Sequence, residues 1–246
     1  MSSPPRFHVP GAAPGARLAL PEHSAHHARE VLRLRSGAPV RVFDGAGAEF
    51  EAQLDEVTRR SVFASLGGAI APRAESPLRL VLAVSPLKGD RMELVVQKAT
   101  ELGVAGIWPV VTFRTDAAAR PALRGSRGER WERVASSAAE QCGRAVVPEV
   151  APTATLDELV ARAFAGQRVV LLETPGHAPL TSVAVDASRP LLLLVGPAGG
   201  FEPVEADALG AAGFTAASLG PRILRAETAA VAAVAIAQAL WGDLRA

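Results

Sequence analysis

The sequence predicts a two-part α/β protein, with a small β-rich domain over residues 1–72 and a larger domain over 73–246 built on a mainly parallel sheet. Three observations carry this prediction. The runs RVVLLE (168–173) and LLLLVG (191–196) are continuously apolar, as strands covered on both faces must be. From Leu78 onward, strand-like segments alternate with helix-like ones, the order that builds a parallel sheet. Before that point, VRVFDGAGAEFEAQLDEV (40–57) alternates apolar residues on either side of Asp44-Gly45, a hairpin pattern.

The elements follow in order. HSAHHAREVLRLRSG (23–37) puts Ala25, Ala28, Val31 and Leu32 at helical spacing and stops at Gly37, predicting a short helix packed on the first sheet. Gly67–Pro77, rich in Gly, Pro and Ala without periodicity, is the expected linker. LRLVLAV (78–84) reads as a buried strand, Asp90 as the cap of a helix to Leu102 ended by Gly103, and VAGIWPVV (104–111) as the next strand. Helices are expected over Ser126–Cys142, Leu156–Phe164, from near Pro203, and over Glu227–Leu244, with the last strand at Phe214–Leu219. No internal repeat is present.

Composition narrows the function. A chain of 246 residues with 49% hydrophobic content can bury one large core or two smaller ones. The apolar stretch Ala229–Trp241 is interrupted by Gln238 and falls short of the roughly 20 residues of a bilayer span. The first twenty residues carry prolines and glycines where a signal peptide needs an apolar run, so a cytoplasmic location is expected. Cys142 is the sole cysteine, which excludes an intrachain disulfide and a Cys-based zinc cluster. His23, His26 and His27 have no evident metal partners, and no metal is expected. Of 26 basic residues only Lys88 and Lys98 are lysines. An arginine excess suits phosphates and equally suits a genome rich in G and C. Arg114–Arg144 holds seven arginines (114, 120, 124, 127, 130, 133 and 144) against Asp116, Glu129, Glu132 and Glu140. That stretch is either an RNA-facing surface or a solvated helix with i,i+3 charge pairs.

Two loops stand out. LLLLVG runs directly into Gly196-Pro197-Ala198-Gly199-Gly200-Phe201-Glu202, and ligands of open parallel sheets bind beyond the carboxyl ends of strands. Adjacent glycines admit positive φ and close approach to the main chain, although a tight turn into the next helix needs the same residues. The loop is neither the phosphate-binding G-x-x-x-x-G-K-[ST] nor the dinucleotide G-x-G-x-x-G. The second loop, LGPRILRAETA (219–229), again follows a strand and opens a helix, with Ile223 and Leu224 between Arg222 and Arg225. G-x-S-x-G is absent, which disfavours a serine hydrolase.

GPAGG followed downstream by LGPRILRAETA resembles the paired signatures of the RsmE-type family of ribosomal RNA uridine-N3 methyltransferases, of the SPOUT superfamily. HHAREVLRLRSG with VRVFDGAG resembles that family's N-terminal PUA-like RNA-binding domain. QKATELGVAGIWPV, WERVASSAAEQCGR and the following Pro148 resemble blocks of its larger domain. One departure is Ala198, where the family usually has Glu; Glu202 or Glu173 is the neighbour that would take over a lost carboxylate. The resemblance implies a C-terminal SPOUT domain with a trefoil knot, an exception to unthreaded chains. It also implies S-adenosyl-L-methionine as cofactor, ribosomal RNA within the small subunit as partner, and a homodimer. Leu172, Glu173, Thr174, Gly196, Pro197, Gly199, Gly200, Leu219, Gly220, Ile223 and Leu224 would hold the cofactor. Arg6, Arg33, Arg35, Arg114, Arg144 and Arg222 would meet RNA. Arg225 would contact substrate or stabilise its anion, being no base because a guanidinium stays protonated, while Glu227 is the nearest motif carboxylate. The alternatives are a knotted methyltransferase acting on another RNA atom, such as a ribose 2′-hydroxyl, and a catalytically silent RNA-binding protein of ribosome assembly.

Overall fold

The computed structural model describes residues 4–117, 127–174 and 176–244; Arg120, Arg124 and Ser126 lie outside them. Two compact units emerge, the first made of residues 1–75 with 136–147, the second of 76–135 with 148–246.

In the first unit five strands, β1 (Arg6–His8), β2 (Arg17–Ala19), β3 (Pro39–Phe43), β4 (Glu49–Val57) and β5 (Val62–Ile70), form a sheet of order β1-β3-β4-β5-β2. The hairpin at Asp44-Gly45 joins β3 to β4, pairing Val42 with Phe50. Asp44 Oδ1 accepts the main-chain N–H groups of Ala46, Gly47 and Ala48 at 2.7, 3.0 and 2.9 Å, which is how a short carboxylate organises a turn. Phe7, Val42, Leu54 and Val62 centre the core. The expected linker shortens, because Gly67 and Gly68 belong to β5, whose end pairs Ile70 with Glu49.

The helix after β2 also differs from expectation. α1 (Glu22–His26) passes into a π-helical turn, His27–Val31, in which Leu32 N–H reaches His27 O at 3.0 Å. The wider turn changes the face of the last residues. Ala25 and Ala28 stay buried, whereas Val31 and Leu32 are 60% and 38% exposed. Arg33, at φ 53, then takes the left-handed conformation and ends the element before Gly37.

The second unit carries a seven-stranded sheet. β6 (Leu80–Val84), β7 (Gly106–Val111), β8 (Glu149–Val150), β10 (Gln167–Leu171), β11 (Leu191–Val195) and β12 (Phe214–Ala217) lie in the order β12-β10-β11-β6-β7-β8, and β9 (Ala154–Thr155) pairs with β7. Every pairing is parallel. β6, β7 and β11 are buried along their whole length, which explains their unbroken apolar sequences. Pro109 has no N–H to give, and it sits between the β7 residues that pair with β8 and those that pair with β9.

Helices α2 (Arg91–Glu101), α3 (Arg127–Cys142), α4 (Leu156–Ala161), α5 (Pro203–Ala211) and α6 (Ala226–Trp241) complete the chain. Asp90 stands at the N-cap of α2 but its side chain makes no cap bond; its carboxylate lies 3.6 Å from Arg130 instead. α4 stops before Phe164 because Arg162 turns extended and lays its guanidinium 3.8 Å over the Trp108 ring, which Phe164 meets edge-on. Gly103, at φ 82, ends α2 as expected.

The last turns of α3 belong to the first unit and carry its polar interior. Glu140 Oε1 accepts from His8 N–H at 2.9 Å and from Ser24 Oγ at 3.1 Å, and His8 Nδ1 lies 2.8 Å from Ser136 Oγ. Burial, offset in part by those two donors and by the nearby Arg6, leaves the Glu140 carboxyl above its ordinary range. Burial likewise lowers His8, aided by His23 and opposed by Asp44. A raised carboxyl destabilises the fold as pH climbs past its ordinary 4.5, and a lowered imidazole destabilises it as pH falls below its ordinary 6.5. The two slopes oppose each other in that interval. Urea melts should therefore show stability rising with pH from 4.5 to 6.5 more steeply in Glu140→Gln than in the parent, and less steeply, or falling, in His8→Asn.

Candidate functional site

Strand order decides where a site can form. β10 lies between β11 and β12 in level register, Leu171 opposite both Val195 and Ala217, so three strands end side by side. The loops that leave them enclose a cleft. Its walls are Leu171–Glu173 after β10, Val195–Ala198 and Phe201 after β11, Leu219–Leu224 after β12, and Ala226 and Ala229 of α6. The cleft is open to solvent at its mouth, and the space between these loops, solvent included, is about 700 Å3. Ile223 stands at its rim, 86% exposed.

The glycines are there for two reasons. A Cβ at Gly196 would stand 2.7 Å from the Phe201 ring, so the β11 loop can fold back on itself only without one. Gly200 has φ 70, and a Cβ there would run into Glu173 Oε1, which places that carboxylate directly against the loop that carries Ala198. Leu172 N–H donates to Ala217 O at 2.9 Å and Gly200 N–H to Pro197 O at 2.9 Å. These bonds fix the loop main chains, leaving walls of mixed character in which Glu173 and Arg222 stand among the apolar residues.

Of the residues picked from the sequence, Leu172, Glu173, Gly196, Pro197, Leu219, Gly220, Ile223 and Leu224 come together as walls of the one cleft. Thr174 lies apart from them, its hydroxyl 2.9 Å from His177 Nε2. Gly199 and Gly200 shape the loop from behind. Sequence reading missed Phe201 and the α6 residues Ala226 and Ala229; a lone aromatic after two glycines was the available signal for the first.

The charged residues separate into two groups. Arg222 and Arg225 are exposed, and neither side chain makes a hydrogen bond or ion pair among the described residues; Arg225 is the N-cap of α6, its carbonyl accepting from Ala229 N–H at 2.8 Å. Arg33 and Arg35 are exposed in the first unit. Arg6 and Arg144, expected to meet RNA, have partners within the first unit. The Arg6 side chain, 10% exposed, binds both oxygens of Glu49 and donates to the carbonyls of Ala139, Glu140 and Arg144; it caps the carbonyl end of α3, where a cation is favoured. The Arg144 side chain is 11% exposed and bonds Glu75 through Nε and Nη2 at 2.9 and 2.6 Å. Arg114 is exposed but engaged, bound to Gly199 O and Glu202. Glu227, whose side chain is 13% exposed, faces Arg91 of α2 at 3.9 Å and does not line the cleft.

Comparison with known proteins gives one consistent result. The family model described as an RNA methyltransferase domain matches residues 74–238, and the model of an RNA methyltransferase PUA domain matches residues 20–66. The ribosomal RNA small subunit methyltransferase E of Synechocystis is 33% identical over 231 residues, covering 92% of this chain and 74% of that protein. Its namesake from Bacillus subtilis is 29% identical over 211 residues, covering 83% and 82%. Among solved structures, ribosomal RNA small subunit methyltransferase E from Neisseria gonorrhoeae bound to S-adenosyl methionine matches with TM-score 0.89 at 34% identity, covering 99% of this chain and all of that one.

Proposed function

The chain belongs to the RNA methyltransferase family, and we propose that it methylates N3 of a uridine in 16S ribosomal RNA, with S-adenosylmethionine as the methyl donor. One observation carries the reading: the three loops after β10, β11 and β12 converge on one cleft, whose lining suits this cofactor. Its leucine, isoleucine and alanine walls suit an adenine ring, and the glycines at 196 and 200 leave main chain where a Cβ would intrude.

The bound cofactor supplies a methyl group activated by a sulfonium, so the protein's task is alignment of nucleophile, carbon and leaving sulfur. Uridine N3 must also lose its proton. Arg225, exposed between the cleft residues Leu224 and Ala226, is assigned to substrate, where its permanent charge stabilises the N3 anion. Glu173 takes the place of the carboxylate missing at Ala198, because it lies on the same loop contact. Arg33 and Arg35 of the first domain and Arg222 beside the cleft are the proposed RNA contacts. We keep residues 1–72 as the PUA-like domain and 73–246 as the SPOUT domain. The trefoil knot is proposed from the family resemblance; the chain crosses from β11 past β10 to β12 and returns as α6 against β11 and β6. A homodimer is part of the proposal, as the family resemblance implies. Among the described residues no helix is long and apolar enough to cross a membrane, and a substrate in the ribosome supports action in the cytoplasm.

Incubation with labelled S-adenosylmethionine and small ribosomal subunits lacking the modification should yield 3-methyluridine after digestion. A different methylated nucleoside would keep the family and replace the target, as for a ribose 2′-hydroxyl; RNA binding with neither label nor cofactor binding would leave a silent assembly protein. In the same assay Arg225→Ala should lose about 100-fold in turnover yet bind cofactor normally by calorimetry, and weakened cofactor binding would move Arg225 into the cleft. Glu173→Ala should weaken cofactor binding about tenfold, roughly 1.4 kcal/mol, whereas Ala198→Glu should change it little; a large gain in Ala198→Glu would show that nothing replaces the missing carboxylate. Light scattering should return the mass of two chains, and a single-chain mass refutes the dimer.

A further inference from the structure

The loop after β7, residues 112–117, lies outside the cleft walls, yet it is tied to the cleft's glycine loop. Arg114 Nη1 donates to Gly199 O at 2.8 Å and Arg114 Nε to Glu202 Oε1 at 2.8 Å. Its aliphatic stem lies flat on Gly199, where a Cβ would be 3.3 Å from Arg114 Cβ. The neighbouring Phe113 N–H donates to Glu205 Oε1 at 2.8 Å, and the other oxygen of that carboxylate accepts from Glu202 N–H at 2.9 Å. Loop and helix start are thus joined at both Glu202 and Glu205.

The base of the tether is rigid. Thr115 Oγ1 accepts from Thr112 N–H at 2.8 Å and lies 2.7 Å from Ser85 Oγ, which donates to Val110 O at 3.1 Å. All three hydroxyl residues are buried. Buried hydroxyls that find partners hold one arrangement, since breaking it strands a polar group.

The consequence concerns one peptide plane. Gly199 C=O and Gly200 N–H belong to the same peptide; Arg114 holds its oxygen, and Pro197 O holds its hydrogen. Two adjacent glycines have an unusually wide range of conformations, and a peptide between them turns over readily unless both polar ends are engaged. We propose that Arg114 is a positioning residue, which locks the Gly199–Gly200 peptide and so presets the glycine loop for the cofactor, rather than a contact for RNA phosphate. This rests on the methyltransferase reading for the ligand, while the locking itself does not.

The test compares the parent with Arg114→Ala, Arg114→Lys and Arg114→Ala/Glu202→Ala. Hydrogen exchange of the segment 198–202 without ligand should quicken in Arg114→Ala, with the melting temperature little changed. S-adenosylmethionine titrated by calorimetry should bind about tenfold more weakly, with RNA affinity and its salt dependence as in the parent. Arg114→Lys should recover part of the affinity, having one donor for one acceptor, and the double variant should lose little more than Arg114→Ala. Unchanged exchange overturns the proposal, as do normal cofactor affinity and weaker RNA binding with a shallower salt slope, the signature of a phosphate contact. If the parent binds no S-adenosylmethionine, the methyltransferase reading fails, and the exchange result alone decides the lock.

Discussion

A strand buried on both faces has no side-chain position left for chemistry. β6, β7 and β11 are of this kind, so the second unit can place functional groups only where its strands end. Parallel pairing sends the carboxyl ends of all these strands to one edge. The level register of β10, β11 and β12 then sets three loops side by side. The cleft is a product of that constraint more than of any single motif. The loops supply its chemistry, and the sheet supplies its location, rigidity and apolar floor.

Much of this was legible in the residues themselves. The unbroken runs at 168–173 and 191–196 announced central strands, and Asp44-Gly45 announced a hairpin whose carboxylate does hold the turn. Two glycine-bearing loops at strand ends marked the cleft before any coordinates did. What local pattern could not convey were effects set by distant residues. The helix at 22–31 loses its register because a π-turn intervenes, leaving Val31 outside. α4 loses its last turn to a stacking partner on β7. The pairing of Ile70 with Glu49 turns a glycine-rich stretch from linker into strand.

Arginine shows the limit most clearly. Arg6, Arg114, Arg144, Arg33 and Arg35 look alike in sequence, and a guanidinium is equally suited to a phosphate, a carboxylate or a row of carbonyls. Folding separates them. Arg6 closes a helix end, Arg144 holds Glu75, Arg114 holds Gly199 while still exposed, and Arg33 and Arg35 are exposed with no side-chain partner among the described residues. Nothing within a few residues of each distinguishes these fates, since their partners lie 43 to 138 residues away for Arg6, 69 for Arg144 and 85 for the Arg114 carbonyl. An arginine-rich composition therefore does not by itself measure a surface free for RNA; the partners each guanidinium finds in the fold are the better guide.

The first unit is discontinuous, closing only with residues 136–147. Phe43 is packed with Ala139 and Ala145, and the Arg6 guanidinium depends on carbonyls at 139, 140 and 144. During synthesis, then, the amino-terminal unit emerges first but cannot finish folding first. Until the chain has passed through β6, α2 and β7 of the other unit, Phe43 lacks its cover from Ala139 and Ala145, and Arg6, paired with Glu49, lacks its carbonyl acceptors. A ribosome stalled or a chain cut between residues 75 and 136 would release that unit unfinished, so its maturation is coupled to that of its neighbour by the order in which the polypeptide is made.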